Sequence, residues 1–135
     1  MARLRWRILP HTADVRLMVW GDDERGLVEN AVAGATRIAL GRTAARAPTR
    51  WTRISRWPRA RAGRLVAAVN EALFRLYRHH AVAVALRSDA NGAWLGLVDL
   101  PVDCRPLVEI KAATFHDLNV QRHHDRLRAV ITLDV

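Results

Sequence analysis

The sequence is poor in most of the residues that announce a chemistry. Cys104 is the one cysteine in 135 residues, which excludes a disulfide framework and any cysteine-rich zinc site. Seven glycines and five prolines interrupt a chain that is half hydrophobic. That leaves enough apolar content for a core and argues against a disordered polymer. No apolar run approaches the ~20 residues that cross a bilayer, since the best helical stretch, Gly26 to Leu40, contains Glu29 and Arg37. The start, Met1-Ala2-Arg3-Leu4-Arg5-Trp6-Arg7, shows no apolar signal-peptide core. These absences predict one cytoplasmic domain over residues 1–135. Gly-rich phosphate loops, a Gly-x-Ser-x-Gly elbow and a His-Glu-x-x-His helix are all missing. Cys104 stands in Cys-Arg-Pro with no base beside it, so it reads as structural or incidental rather than as a nucleophile.

Acid is missing from one long window. Between Asn30 and Asn70 there are nine arginines and no Asp or Glu, whereas the rest of the chain balances at 13 basic and 13 acidic residues. The net charge of +9 therefore belongs to one segment. Such a directional field draws phosphate backbones or an acidic protein face. Arg50, Trp51, Arg53, Arg56 and Trp57 interleave guanidinium and indole and form the candidate RNA or partner patch. A plainer origin is base composition: Lys111 is the single lysine, and arginine in its place is what a GC-rich genome yields.

Periodicity supplies the elements. Leu4, Trp6 and Ile8 alternate with arginines over residues 3–9, a half-buried strand, and alternation returns at Val15, Leu17 and Val19. Asp22 or Asp23 caps a helix whose apolar positions (Leu27, Ala31, Val32, Ala35, Ile38, Ala39) recur at helical spacing until Gly41. Residues 42–63 read as a loop with one exposed strand near 50–57. A second helix, 62–79, buries Leu65, Val66, Val69, Leu73, Leu76 and Tyr77. Strands are predicted near 81–88, 93–99, 107–115, 118–122 and 127–135. Asp89-Ala90-Asn91-Gly92 is a hairpin turn, and His123-His124-Asp125 makes another. Two helices against seven or eight strands predict an α+β two-layer sandwich, with a mixed or antiparallel sheet covered by the helices.

The adjacent pairs His79-His80 and His123-His124 point in different directions on regular structure and read as surface histidines. Two other places carry more. His11-Thr12-Ala13-Asp14 joins two strands, and the chain closes on Leu133-Asp134-Val135. If the last strand pairs near the first ones, Asp14, Asp134 and the Val135 carboxylate gather anionic oxygens that a hard cation, Ca²⁺ or Mg²⁺, compensates. The plain alternative is that these acids cap turns and meet arginines. In Glu109-Ile110-Lys111-Ala112-Ala113-Thr114-Phe115-His116, alternation sets Glu109, Lys111 and Ala113 on one face and Ile110, Ala112 and Thr114 on the other. Lys111, with His116 at the strand end, can neutralise nearby carboxylates; a cross-strand Glu–Lys pair is the simpler reading. A metal-dependent hydrolase built on His11, Asp14 and His116 is disfavoured, because no nucleophile–base–orienter set is legible.

Taken in order, these segments resemble the archease family. His11-Thr12-Ala13-Asp14-Val15 is similar to its His-Thr-Ala-Asp motif, and residues 109–116 resemble its Glu-Val-Lys-Ala-x-Thr-Tyr-His strand. The chain stops on an apolar strand ending in Asp134 and an aliphatic residue, as members do. Glu29-Asn30-Ala31 and Asn70-Glu71-Ala72-Leu73 resemble its two helices. The resemblance implies a non-enzymatic activator of the RtcB-type RNA ligase of tRNA splicing and RNA repair. It would promote ligase guanylylation and multiple turnover and broaden nucleotide use. It also implies a divalent-cation site, typically calcium (with Mg²⁺ or Mn²⁺ as alternatives), on Asp14, Asp134 and Val135. His11, Glu109, Lys111 and His116 match motif positions as supporting or partner-contact residues. The chain departs from the pattern at Pro10, where members have Glu. It departs again in its basic charge and in the lead-in to the second helix, Gly63-Arg64-Leu65-Val66.

Overall fold

The computed structural model describes residues 5–9, 14–42, 46–115 and 118–135. Along the chain run β1 (Trp6–Leu9), β2 (Val15–Gly21), α1 (Glu24–Leu40), β3 (Arg50–Arg53), α2 (Arg61–His79), β4 (Ala81–Asp89), β5 (Gly92–Asp99), β6 (Ala112–Thr114), β7 (Gln121–His123) and β8 (Arg126–Asp134). The α+β class holds, and every strand pairing is antiparallel. The strands divide between two sheets. One runs β1-β2-β8-β6 with β7 also on β8; the other runs β3-β5-β4.

Local chemistry explains the helices. The Asp23 carboxylate accepts the Gly26 N–H at 2.7 Å and caps α1, with Glu24 in the first turn favourable to the positive helix end. Gly41, at φ 76°, ends α1 in the left-handed conformation that a Cβ disfavours. Leu27, Ala31, Val32, Ala35 and Ala39 are buried along one stripe of α1, and Leu65, Val66, Val69, Leu73 and Leu76 along one stripe of α2. The core-facing sides of both sheets complete a single buried cluster, with Leu17, Val19, Leu127, Ile131 and Leu133 from the first and Leu86, Leu95 and Leu97 from the second. Small residues set the spacing. A Cβ on Gly21 would fall 2.1 Å from the Leu27 backbone nitrogen, so β2 can end against the first turn of α1 only with glycine there.

Three strand expectations change. Arg3 and Leu4 of the first expected strand lie outside the described residues; β1 begins at Trp6, and Ile8 is 51% exposed although it pairs with buried Leu17. The 118–122 strand forms instead at Gln121–His123. Over 107–115 only Ala112–Thr114 pairs as a strand. The preceding segment bonds to helices: Leu107 N–H donates to the Ala39 carbonyl at 2.6 Å. The Tyr77 hydroxyl donates to the Val108 carbonyl and accepts from Ile110 N–H, both at 2.8 Å. Alternation fails there, and Ile110 and Ala113 are both buried while Glu109 and Lys111 are exposed.

Candidate functional site

β8 is the central strand of the five-stranded sheet at its carboxyl end. On one side Val15 of β2 pairs with Leu133 and Arg16 with Thr132. On the other, Ala112, Ala113 and Thr114 of β6 pair with Asp134, Leu133 and Thr132. The ladder ends at Val15 and Leu133, so Asp14 and Asp134 are the next residues beyond its last pair. The Lys111 amide reaches the Asp134 carbonyl at 2.7 Å, one residue before β6 begins. Segments from the start, the later part and the end of the chain thus meet at one sheet end.

Residue parity divides the two faces. Leu127, Ala129, Ile131 and Leu133 point into the core, so Arg128, Val130, Thr132 and Asp134 line the opposite face. Asp14 and Asp134 are half-buried and Val135 is 44% exposed. Thr132, beside them, is only 2% exposed, so this end of the outer face is covered rather than flat and solvated. Arg16 shares the row with Thr132 and Thr114, a fixed positive charge near the acids. The donors that this end offers are carboxylate oxygens, which match a hard cation. Among the described residues no three His, Cys, Asp or Glu side chains are grouped to hold a metal. The expected set differs from such a group, having two side chains and one main-chain carboxylate. His11 and His116 lie outside the described residues, as does Pro10.

Two helix residues missed as functional candidates position this end. Asn70 of α2 uses its whole amide on one β6 residue: Oδ1 accepts Ala113 N–H at 2.7 Å and Nδ2 donates to the Ala113 carbonyl at 3.3 Å. Tyr77 holds residues 108–110 as described above, and burial pushes its phenol above the ordinary range. The sequence signal was present in the Asn70-Glu71 pair, but an amide facing a strand cannot be told from a solvated one by spacing. Glu29 of α1 acts likewise on the second sheet, accepting the Leu86 N–H at 2.8 Å, next to the register shift between Ala83 and Ala85.

The arginine–tryptophan patch is split. Trp51 and Arg53 share the solvent face of β3, but Arg50 has the opposite parity and bonds Asp99 at 2.7 Å. Trp57 is partly buried against the core with Arg64 over its ring. Arg56 lines a separate groove against α2, with Asn70, Phe74 and Arg75. Pairing brings in two residues that the sequence pattern does not single out. Arg53 and Arg87 flank Trp94 in one cross-strand row. The Arg87 guanidinium lies 4.5 Å from the Trp51 ring centre and 5.6 Å from that of Trp94, and Arg53 lies 5.5 Å from Trp94. Cys104 accepts from Arg42 Nη2 at 2.9 Å.

Comparison with known proteins adds the following. Residues 6–135 match the model of the Archease protein family (MTH1598/TM1083). The solution structure of Methanobacterium thermoautotrophicum protein 1598 is similar at a TM-score of 0.69 and 20% identity, covering 98% of this chain and 100% of that one. The 2.0 Å crystal structure of an archease, possible chaperone (TM1083), from Thermotoga maritima is similar at a TM-score of 0.65 and 17% identity, covering 100% of both chains. At these identities the structures speak for the fold. No curated protein matches the sequence.

Proposed function

The chain belongs to the archease family, and from that premise we propose that it activates an RtcB-type RNA ligase, promoting guanylylation and repeated turnover in tRNA splicing or RNA repair. It does so without catalytic chemistry of its own, as a protein that acts on another protein. Such a helper's role accords with the words "possible chaperone" attached to the Thermotoga maritima relative. The observation that supports the reading is the meeting of the start of β2, residues 111–114 and the Asp134 end at one end of the five-stranded sheet.

Asp14, Asp134 and the Val135 carboxylate would hold a divalent cation, calcium by preference over Mg²⁺ or Mn²⁺. Bound there, the ion supplies positive charge that offsets carboxylate repulsion and stiffens the strand ends. Arg16 and Lys111 shape the field around those oxygens, and Glu109, exposed two residues before Lys111, is a partner-contact residue. His11 and His116 belong to the same proposal. No helix among the described residues is long and apolar enough to cross a membrane, and a cytoplasmic site of action is part of the proposal.

The test is ligase turnover. With the ligase of the same organism, adding this protein should raise both guanylylation and the number of joining events per ligase. Asp14→Ala and Asp134→Ala should each remove most of that gain while the thermal transition stays cooperative. Unchanged turnover with folded wild-type protein would end the proposal.

A further inference from the structure

The solvent face of the three-stranded sheet carries a second set of groups that ligase activation leaves unused. Strands β3, β5 and β4 present Trp51, Arg53, Trp94 and Arg87 outward, while Thr52, Leu95 and Leu86 form the row facing the core. Trp51 is 37% exposed on an edge strand. Pro48 covers Gly96, the cross-strand partner of Trp51, where a Cβ would come within 2.7 Å of the proline side chain. Neither Arg53 nor Arg87 enters an ion pair among the described residues. Their guanidiniums rest over the indoles, and Arg53 also donates to the Asn91 carbonyl. A recess lined by Arg53, Trp57, Arg59 and Arg64 adjoins this face. Arg64 is tied to Glu24 at 3.1 Å, and Asp89 of the hairpin is the one carboxylate on the wall.

We propose that this face binds single-stranded RNA, with bases stacking on Trp51 and Trp94 and phosphates meeting Arg53 and Arg87. Charge complementarity favours a polyanion, because these groups adjoin the acid-free window. The tryptophans favour nucleobases over an acidic protein surface: every base offers a flat π-face, so aromatic platforms bind single strands without reading sequence. Diagonal neighbours on adjacent strands sit roughly 7–8 Å apart, within reach of consecutive unstacked bases. A guanidinium already resting over an indole gives up little rotamer freedom when its N–H fork takes a phosphate. RNA rather than DNA is specified by the proposed work on an RNA ligase, and in that one respect the inference rests on that reading.

Binding is measured without ligase, by anisotropy of a labelled oligouridylate against increasing salt. Wild-type protein should prefer the single strand over an RNA duplex of equal length by about tenfold or more. Trp51→Ala should weaken binding about tenfold, and Trp51→Phe should restore much of it. Arg87→Ala should lower the salt slope by about 0.7, the value for one phosphate no longer neutralised. Asp14→Ala should bind normally, so loss of ligase activation and loss of RNA binding can be told apart. Equal affinity for duplex, no effect of Trp51→Ala in a folded variant, or equally effective competition by polyglutamate would each overturn the proposal, the last in favour of an acidic protein partner.

Discussion

The end of the five-stranded sheet and the outer face of the three-stranded sheet are built by opposite means. The first gathers segments that are remote in the chain, and its geometry depends on the core beneath it: Leu133, between β2 and β6, is fully buried and Ala113 is 4% exposed. The second draws most of its groups from one hairpin and one short edge strand, and its side chains rest on each other rather than in the core. A site of the first kind couples function to stability, whereas one of the second kind can be emptied with little structural consequence. Mutations should separate the two regions on that basis.

The sharpest test removes the link between α2 and the acidic end. Asn70→Ala leaves both polar backbone groups of Ala113 without their side-chain partner. At roughly 1–3 kcal/mol for an unsatisfied buried group, the loss should be about 2–4 kcal/mol in denaturant unfolding. Ligase activation should fall with it, because β6 sets Lys111 against Asp134. A variant that melts like wild type would show that β8 alone holds β6.

Next in size is the cation. If it binds the folded form, calcium at about 100 times its dissociation constant should add about 2.7 kcal/mol, read as a rise in Tm. Asp134→Asn should abolish the rise, and oligouridylate affinity should not respond to calcium. A calcium-induced rise that survives Asp134→Asn would place the ion elsewhere.

Tyr77→Phe comes third, at about 1–2 kcal/mol, since one hydroxyl serves both Val108 and Ile110. Here pH adds a signature. The folded phenol titrates above its ordinary value of 10.0 because burial disfavours the phenolate, although the bond from Ile110 partly opposes that. The neutral form therefore belongs to the fold, and its stabilisation is complete below the unfolded value. It is lost as pH rises through the folded one. Wild-type stability should fall above about pH 10, more steeply than that of Tyr77→Phe; parallel alkaline curves would remove Tyr77 as the cause.

What the sequence made legible follows the same division between near and far. Both helices were readable from spacing, with the Gly41 stop and a cap narrowed to Asp22 or Asp23 that the structure puts at Asp23, as were the Asp89–Gly92 hairpin and the turn at His124, whose φ is 56°. These depend on neighbours a few residues away. The partition into two sheets depends on which distant strand each edge meets, and a pattern with period two says nothing of that. Residues 107–111 looked like a strand by alternation, yet Tyr77 and Ala39 took their backbone groups, and nothing local to the segment announces a hydroxyl 31 residues away. Motif resemblance singled out Asp14 and Asp134, and the condition set for their meeting, a last strand beside the first ones, is met by the pairing of β2 with β8; the cation there is the proposal. The arginine window was visible as charge, but parity sent Arg50 elsewhere, the loop after β3 laid Trp57 against the core, and only register could add Arg87 and Trp94.

The smallest expected effect marks the other pole of the comparison. Exposed cation–π contacts are worth about 0.5–1 kcal/mol, and surface ion pairs such as Arg50–Asp99 about 0.2–1 kcal/mol. Arg87→Ala strips the guanidinium from both indoles but removes no buried group, so its stability cost should stay near 1 kcal/mol, and Arg50→Ala should cost less and diminish further in high salt. Both should leave calcium response and ligase activation intact. A much larger loss for Arg87→Ala would mean that the ladder of guanidinium and indole braces the short edge strand β3. The outer face would then be a structural device, and the contrast between a site welded to the core and one laid upon it would fail at this end.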